Sequence, residues 1–177
     1  IVNDTNRYSF AFDDTVPGEI RLLVSGTPSA LVWAGDGLTN SWDLTAPTNW
    51  LDGLTPESFH QLDSVTFTDT GSLAPAITLA GSLTPLSVTV NAAGNYTFTG
   101  SGKISGAAAL TKQGAGTLTV ATSNDFDGPV SVTSGTLKAG HAAALGATNA
   151  GTTGANWATL DVNALNLGAE NLIVAGS

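Results

Sequence analysis

Two carboxylates, Asp125 and Asp127, stand two positions apart in the segment Asn124-Asp125-Phe126-Asp127-Gly128. In an extended chain residues i and i+2 share a side, and glycoside hydrolysis needs two carboxyl groups roughly 5–9.5 Å apart. The same segment offers Asn124, Asp125 and Asp127 as hard oxygen ligands, which makes them a weak candidate calcium site. Against both readings, Asn and Asp beside Gly are ordinary turn formers. Calcium takes about 6–8 oxygens and no EF-hand Glu follows. The Gly-Gly-x-Gly-x-Asp nonapeptide of calcium-binding β-rolls is also absent. A polysaccharide lyase would further need a cation beside the acids, and Lys103, Lys112 and Lys138 stand apart from them along the chain. The segment therefore reads as a corner turn, with no catalytic residue in it.

Other constellations are thinner. His60 and His141 are 81 residues apart, without any metal-ligand spacing, and both read as exposed loop residues. Ser58, His60 and Asp63 are near one another but lack a nucleophile elbow. With no Cys, thiol nucleophiles, disulfides and Cys-ligated metals are excluded. No Gly-x-Gly-x-x-Gly joins a strand to a helix, so nucleotide binding has no support, and no cofactor is implied. Trp33, Trp42 and Trp50, interleaved with Asp and Asn, are the candidate glycan contacts, since exposed indoles stack on sugar rings. The opposing reading makes them a cap over a hydrophobic core.

Composition narrows the class. Of 177 residues, 42% are hydrophobic and 11% charged, with a net charge of −9 and five Lys plus Arg. That is too apolar for disorder and too poor in cations for nucleic acid or an anionic membrane surface. No apolar run reaches the roughly 18–20 residues of a membrane span, so no membrane insertion by this segment is expected. The chain starts at Ile1 and contains no Met, which suggests an excised fragment or a chain that has lost a leader.

The elements that must position these residues are short strands. From Ile77 onward, words such as Ser87-Val88-Thr89-Val90, Thr117-Leu118-Thr119-Val120 and Thr136-Leu137-Lys138 alternate apolar and hydroxyl residues, with Gly, Asn, Asp and Pro between them. No sustained helical period exists, so the chain is all-β. Leu79, Phe98, Leu118 and Leu137 recur after 19, 20 and 19 residues, and Val88, Leu110 and Val130 after 22 and 20. Recurrence at about 20 residues is what a solenoid produces, because each coil returns to the same face. These two series are then inward ladders. An antiparallel β-sandwich is the competing arrangement, disfavoured by the constant recurrence and by scarce hairpin dipeptides. Residues 1–70 read as N-terminal strands (Tyr8 to Phe12, Glu19 to Val24) and a Trp-rich cap, and residues 71–177 as the solenoid. The far end, at Asn171-Leu172-Ile173-Val174, lacks a cap, so the parent chain is expected to continue.

Lys112-Gln113-Gly114-Ala115-Gly116-Thr117-Leu118, then Asn124, Phe126, Gly128 and Gly135-Thr136-Leu137, resemble the autotransporter-associated β-strand repeat, strongly over about residues 103–146. Pro129-Val130 departs from the usual Gly or Thr. The run from Trp33 through Asn49-Trp50 to Asp63-Ser64-Val65-Thr66-Phe67 is more weakly similar to segments that open such arrays. The resemblance implies a right-handed parallel β-helix within a large secreted or surface-displayed bacterial protein. Its role would be a non-catalytic stalk, spacer or adhesin-like scaffold, located extracellularly or on the outer surface. Its partners would be adjacent coils or domains of the same parent chain. The alternative is a carbohydrate-binding module on a glycan-degrading enzyme, with an extracellular glycan as partner.

Overall fold

The computed structural model describes residues 7–45, 49–71, 73 and 75–175. Ile1, on which the expectation of a lost leader rests, lies outside them. Strands β1 (Ser9–Asp13) and β2 (Arg21–Ser25) form an antiparallel hairpin of their own. The cap follows as β3 (Ala30–Trp33), β4 (Ser41–Trp42), β5 (Trp50–Asp52) and β6 (Thr55–Glu57).

Five coils then stack. The first is β7 (Ser64–Thr68), β8 (Ala76–Leu79) and β9 (Ser82–Leu83), and the second β10 (Ser87–Asn91), β11 (Tyr96–Thr99) and β12 (Lys103–Ile104). The third holds β13 (Ala109–Gln113) and β14 (Thr117–Val120), and the fourth β15 (Val130–Val132) and β16 (Thr136–Ala139). The fifth holds β17 (Thr152–Gly154) and β18 (Thr159–Asp161), and β19 (Leu172–Val174) lies over β17.

Like strands pair in parallel. The long sheet runs β19-β17-β15-β13-β10-β7-β3, and β5 and β6 complete it in the antiparallel sense. A second sheet runs β18-β16-β14-β11-β8-β4, and β12 pairs with β9 on a third side. The architecture is a parallel β-solenoid, not a sandwich. A single coil cannot bury its own aliphatics, but stacked at about 4.8 Å each row covers the next.

The ladder Val65, Val88, Leu110 and Val130 is in register along the long sheet, so the expected Val88–Leu110–Val130 series is correct. The other expected ladder needs correction. Ile77 lies against Phe98 and Phe98 against Val120, whereas Leu118 lies against Tyr96 on one side and Leu137 on the other. Leu79 faces Trp42. The strands were read on the right wall, but with a register off by two residues. The reason is uneven coil length: along this wall the repeat is 21, 22, 19 and 23 residues, not a constant 19 or 20. Because side chains alternate, a slip of two keeps them facing inward, and Leu79, Phe98, Leu118 and Leu137 are all fully buried.

Glycine is required at one corner in particular. Gly135 has φ of 67°, and a Cβ there would come within 2.3 Å of the Gly114 carbonyl oxygen in the coil below. Both the left-handed backbone and the close approach demand the missing side chain.

Candidate functional site

The three cap tryptophans are core residues. Trp33 and Trp42 are 0% exposed and Trp50 is 2%. Trp33 meets Trp50 edge-on at 4.9 Å between ring centroids, Trp42 meets Trp50 at 5.4 Å and Phe59 at 5.4 Å, and Phe67 closes the cluster at 5.0 Å from Phe98. Perpendicular contacts of this kind pair ring edge with ring face. Their sequence positions explain the burial: β3 and β5 continue the long sheet past its first coil, β4 continues the second, and their inward positions are the Trp side chains. No indole face of the three is open to a sugar ring, so they are not glycan contacts. A row of bulky rings instead covers an edge that would otherwise expose Phe67, Ile77 and Leu79.

Beneath this cap lies an ionic pin. Asp63 is wholly buried and its carboxylate accepts from the Arg7 guanidinium, from the Ser29 N–H at 2.7 Å and from the His60 N–H at 2.9 Å. Arg7 also lies 3.4 Å from Glu57. The pin ties the chain entering β1 to the segment before β7. Asp63 thus engages the backbone of His60 and not its ring, which removes the basis for a Ser58–His60–Asp63 relay. His60 itself is part-buried, its Nε2 at 3.8 Å from Glu57, contrary to the expected exposed loop position. His141 is exposed, and its Nδ1 accepts from the Ala143 N–H at 3.0 Å.

The Asn124–Asp127 segment sits on the third side of the solenoid, where β12 of the coil below has no strand above it. Asn124 is buried, and its Oδ1 accepts from the Ile104 N–H at 3.0 Å and from the Thr122 hydroxyl at 3.0 Å. Its Nδ2 donates to the Ala144 carbonyl at 2.8 Å. Asp125 accepts from the Lys103 ammonium and the Ser105 hydroxyl, and Lys103 is the principal cause of its lowered pKa. Asp127 is exposed, with its backbone N–H donating to Gly106 at 2.8 Å. Asn124 therefore serves as a main-chain surrogate and Asp125 is neutralised, so the three do not converge on one ion. Among the described residues no group of three His, Asp or Glu side chains is arranged to hold a metal. Lys103 was expected to stand apart from acids. It meets Asp125 instead, and Lys138 lies 3.5 Å from Asp161, because residues one coil apart become neighbours.

Two features escaped sequence reading. Lys112 belongs to the repeat motif but occupies an inward column, between Val90 below and Val132 above. Only 1% exposed, its ammonium donates to the carbonyls of Gln113 at 2.5 Å, Gly114 at 2.9 Å and Ser134 at 3.4 Å. It clamps two successive corners together, and burial lowers its pKa below 10.5. The other feature is Trp157, 92% exposed at φ of 67°. Its only sequence signal is an aromatic residue in a corner where the preceding coils carry Gly114-Ala115 and Ser134-Gly135.

Comparison with known proteins bears on the same residues. The family described as passenger-associated-transport-repeat matches residues 110–139, which spans β13 to β16 and includes Lys112, Asn124 and Gly135. Over 163 residues the chain is 31% identical to the adhesin BmaC autotransporter of Brucella suis biovar 1 (strain 1330). That match takes in 90% of this chain and 4% of the relative, so the chain spans a small part of that protein's length. No solved structure matches the chain.

Proposed function

We propose that the chain, whose residues 110–139 match the passenger-associated-transport-repeat family, is a non-catalytic segment of a surface-displayed bacterial protein, acting as a stalk or adhesin-like spacer. The observation that carries this reading is the use made of the repeat's own residues. Lys112, Asn124 and Gly135 each join one coil to the next, through hydrogen bonds or close approach. Motif residues that hold coil to coil support a role in length and stiffness, about 4.8 Å of axis per coil.

The relative's name, an autotransporter adhesin, supports an extracellular or outer-surface location for the parent. Its great length favours neighbouring coils as the partners of this segment.

Antibodies raised against this chain should label intact, unpermeabilised cells that make the parent protein, and protease added outside should remove the label. Labelling that appears only after permeabilisation would refute the assignment.

A further inference from the structure

We propose that the outward face of the long sheet, with Trp157 at its corner, binds an uncharged linear polysaccharide lying along the solenoid axis. This goes beyond the scaffold role and rests on different residues. Thr66, Thr89, Thr111, Ser131 and Thr153 stand in one register column, one per coil at about 4.8 Å. No hydrogen bond to another described residue uses their hydroxyls. The other outward positions of these strands are Ser, Thr, Ala, Asn or Gln. On a chain of net charge −9, this face carries no charged side chain.

Trp157 adds an aromatic contact at the end of the column where Ile173, 54% exposed, lies over Thr153. It is the third residue of a turn closed by the Ala158 N–H donating to the Ala155 carbonyl at 3.1 Å. A positive φ at that position selects Gly, and the corners of the two preceding coils use Gly114 and Gly135 at 70° and 67°. A bulky residue held there is strained, and strain of this sort collects where ligands are contacted. The turn leads directly out of β17, the strand that bears Thr153. An indole presents a flat apolar face to the C–H side of a sugar ring, and hydroxyls repeating at the coil spacing donate to and accept from a hydroxyl-rich polymer. A second copy of the chain is the poorer occupant, because dimer interfaces need an apolar core and this face has one aromatic ring.

The test is native gel electrophoresis of the chain in gels containing dextran, hydroxyethyl cellulose or laminarin, with alginate as the anionic comparison. At least one uncharged polymer should slow migration and alginate should not. Trp157→Gly relieves the turn, so its urea midpoint should hold or rise while apparent affinity falls about tenfold or more, as for loss of an aromatic anchor. Thr111→Glu, which places a charge in the column, should cause a comparable loss, and Leu54→Ala, exposed at a cap turn, should cause none. The proposal is overturned by migration unaffected by all three uncharged polymers, or by retardation that survives both Trp157→Gly and Thr111→Glu. Concentration-dependent self-association that Trp157→Gly abolishes, without sugar binding, would assign the face to a second copy and also overturn it.

Discussion

The side-chain Oδ1 of Asn124 accepts the backbone N–H of Ile104, 20 residues earlier, at 3.0 Å. It thereby takes the place of a carbonyl in a strand that the third coil does not have on this side. Removing the carboxamide leaves a buried N–H and a buried carbonyl, of Ala144, unpaired. An unsatisfied buried group costs about 1–3 kcal/mol, so Asn124→Leu should destabilise the chain by about 2 kcal/mol or more in urea unfolding. Asp127→Ala, on the exposed side of the same corner, should shift the midpoint little. Equal effects would contradict the surrogate role of Asn124.

Burial divides the four tryptophans three to one. Iodide should quench only the fluorescence of Trp157, and Trp157→Phe should abolish that accessible fraction. Trp42→Ala would empty the centre of the cap, with an expected loss of about 3–5 kcal/mol. A cap that tolerates this substitution within about 1 kcal/mol would not be closing the core.

Tyr96 gives an alkaline signature. Its hydroxyl donates to the Thr68 carbonyl at 2.6 Å, and desolvation, with the Asp69 carboxylate adding to it, raises its pKa from 10.0 to about 12. The folded state therefore holds this proton longer than the unfolded chain does. Its contribution is fully present below pH 10 and is lost as pH climbs from 10 to about 12. Urea midpoints of the unsubstituted chain should fall more steeply across that window than those of Tyr96→Phe. Parallel slopes would exclude the linkage.

Coil modularity can be tested by deletion. Removing residues 110–129 joins Ala109 to Val130, which already occupies the register position of Leu110. The shortened chain should keep a cooperative unfolding transition with one strand spacing less of length, measured by small-angle scattering. Removing residues 110–119 instead strips half a coil and should abolish the transition. If both deletions behaved alike, the stacked rows would not be the unit of stability.

Period-2 words and their recurrence were enough to place Val88, Leu110 and Val130 in one column, because hydrophobic alternation reports which face is buried. They could not fix the Phe98 column. Like residues were matched by type, whereas pairing is decided by how many residues each corner holds. The cap was legible from its clustered Trp residues, though not the antiparallel course of β5 and β6, since strand direction leaves no trace in alternation. Lys112 was hidden for an energetic reason: a lysine among alternating residues reads as solvent-facing, and only the three corner carbonyls around its ammonium make burial tolerable. The pairing of Lys103 with Asp125 was hidden by distance along the chain, which stacking cancels.

Coils of unequal length nonetheless keep every row of the long sheet in step. Corner size and axial pitch are thus independent variables. A loop can lengthen, shorten or acquire a protrusion such as an indole without disturbing the rise of the column. A protein built this way can revise its outer contour coil by coil while its backbone remains a ruler of fixed gradation.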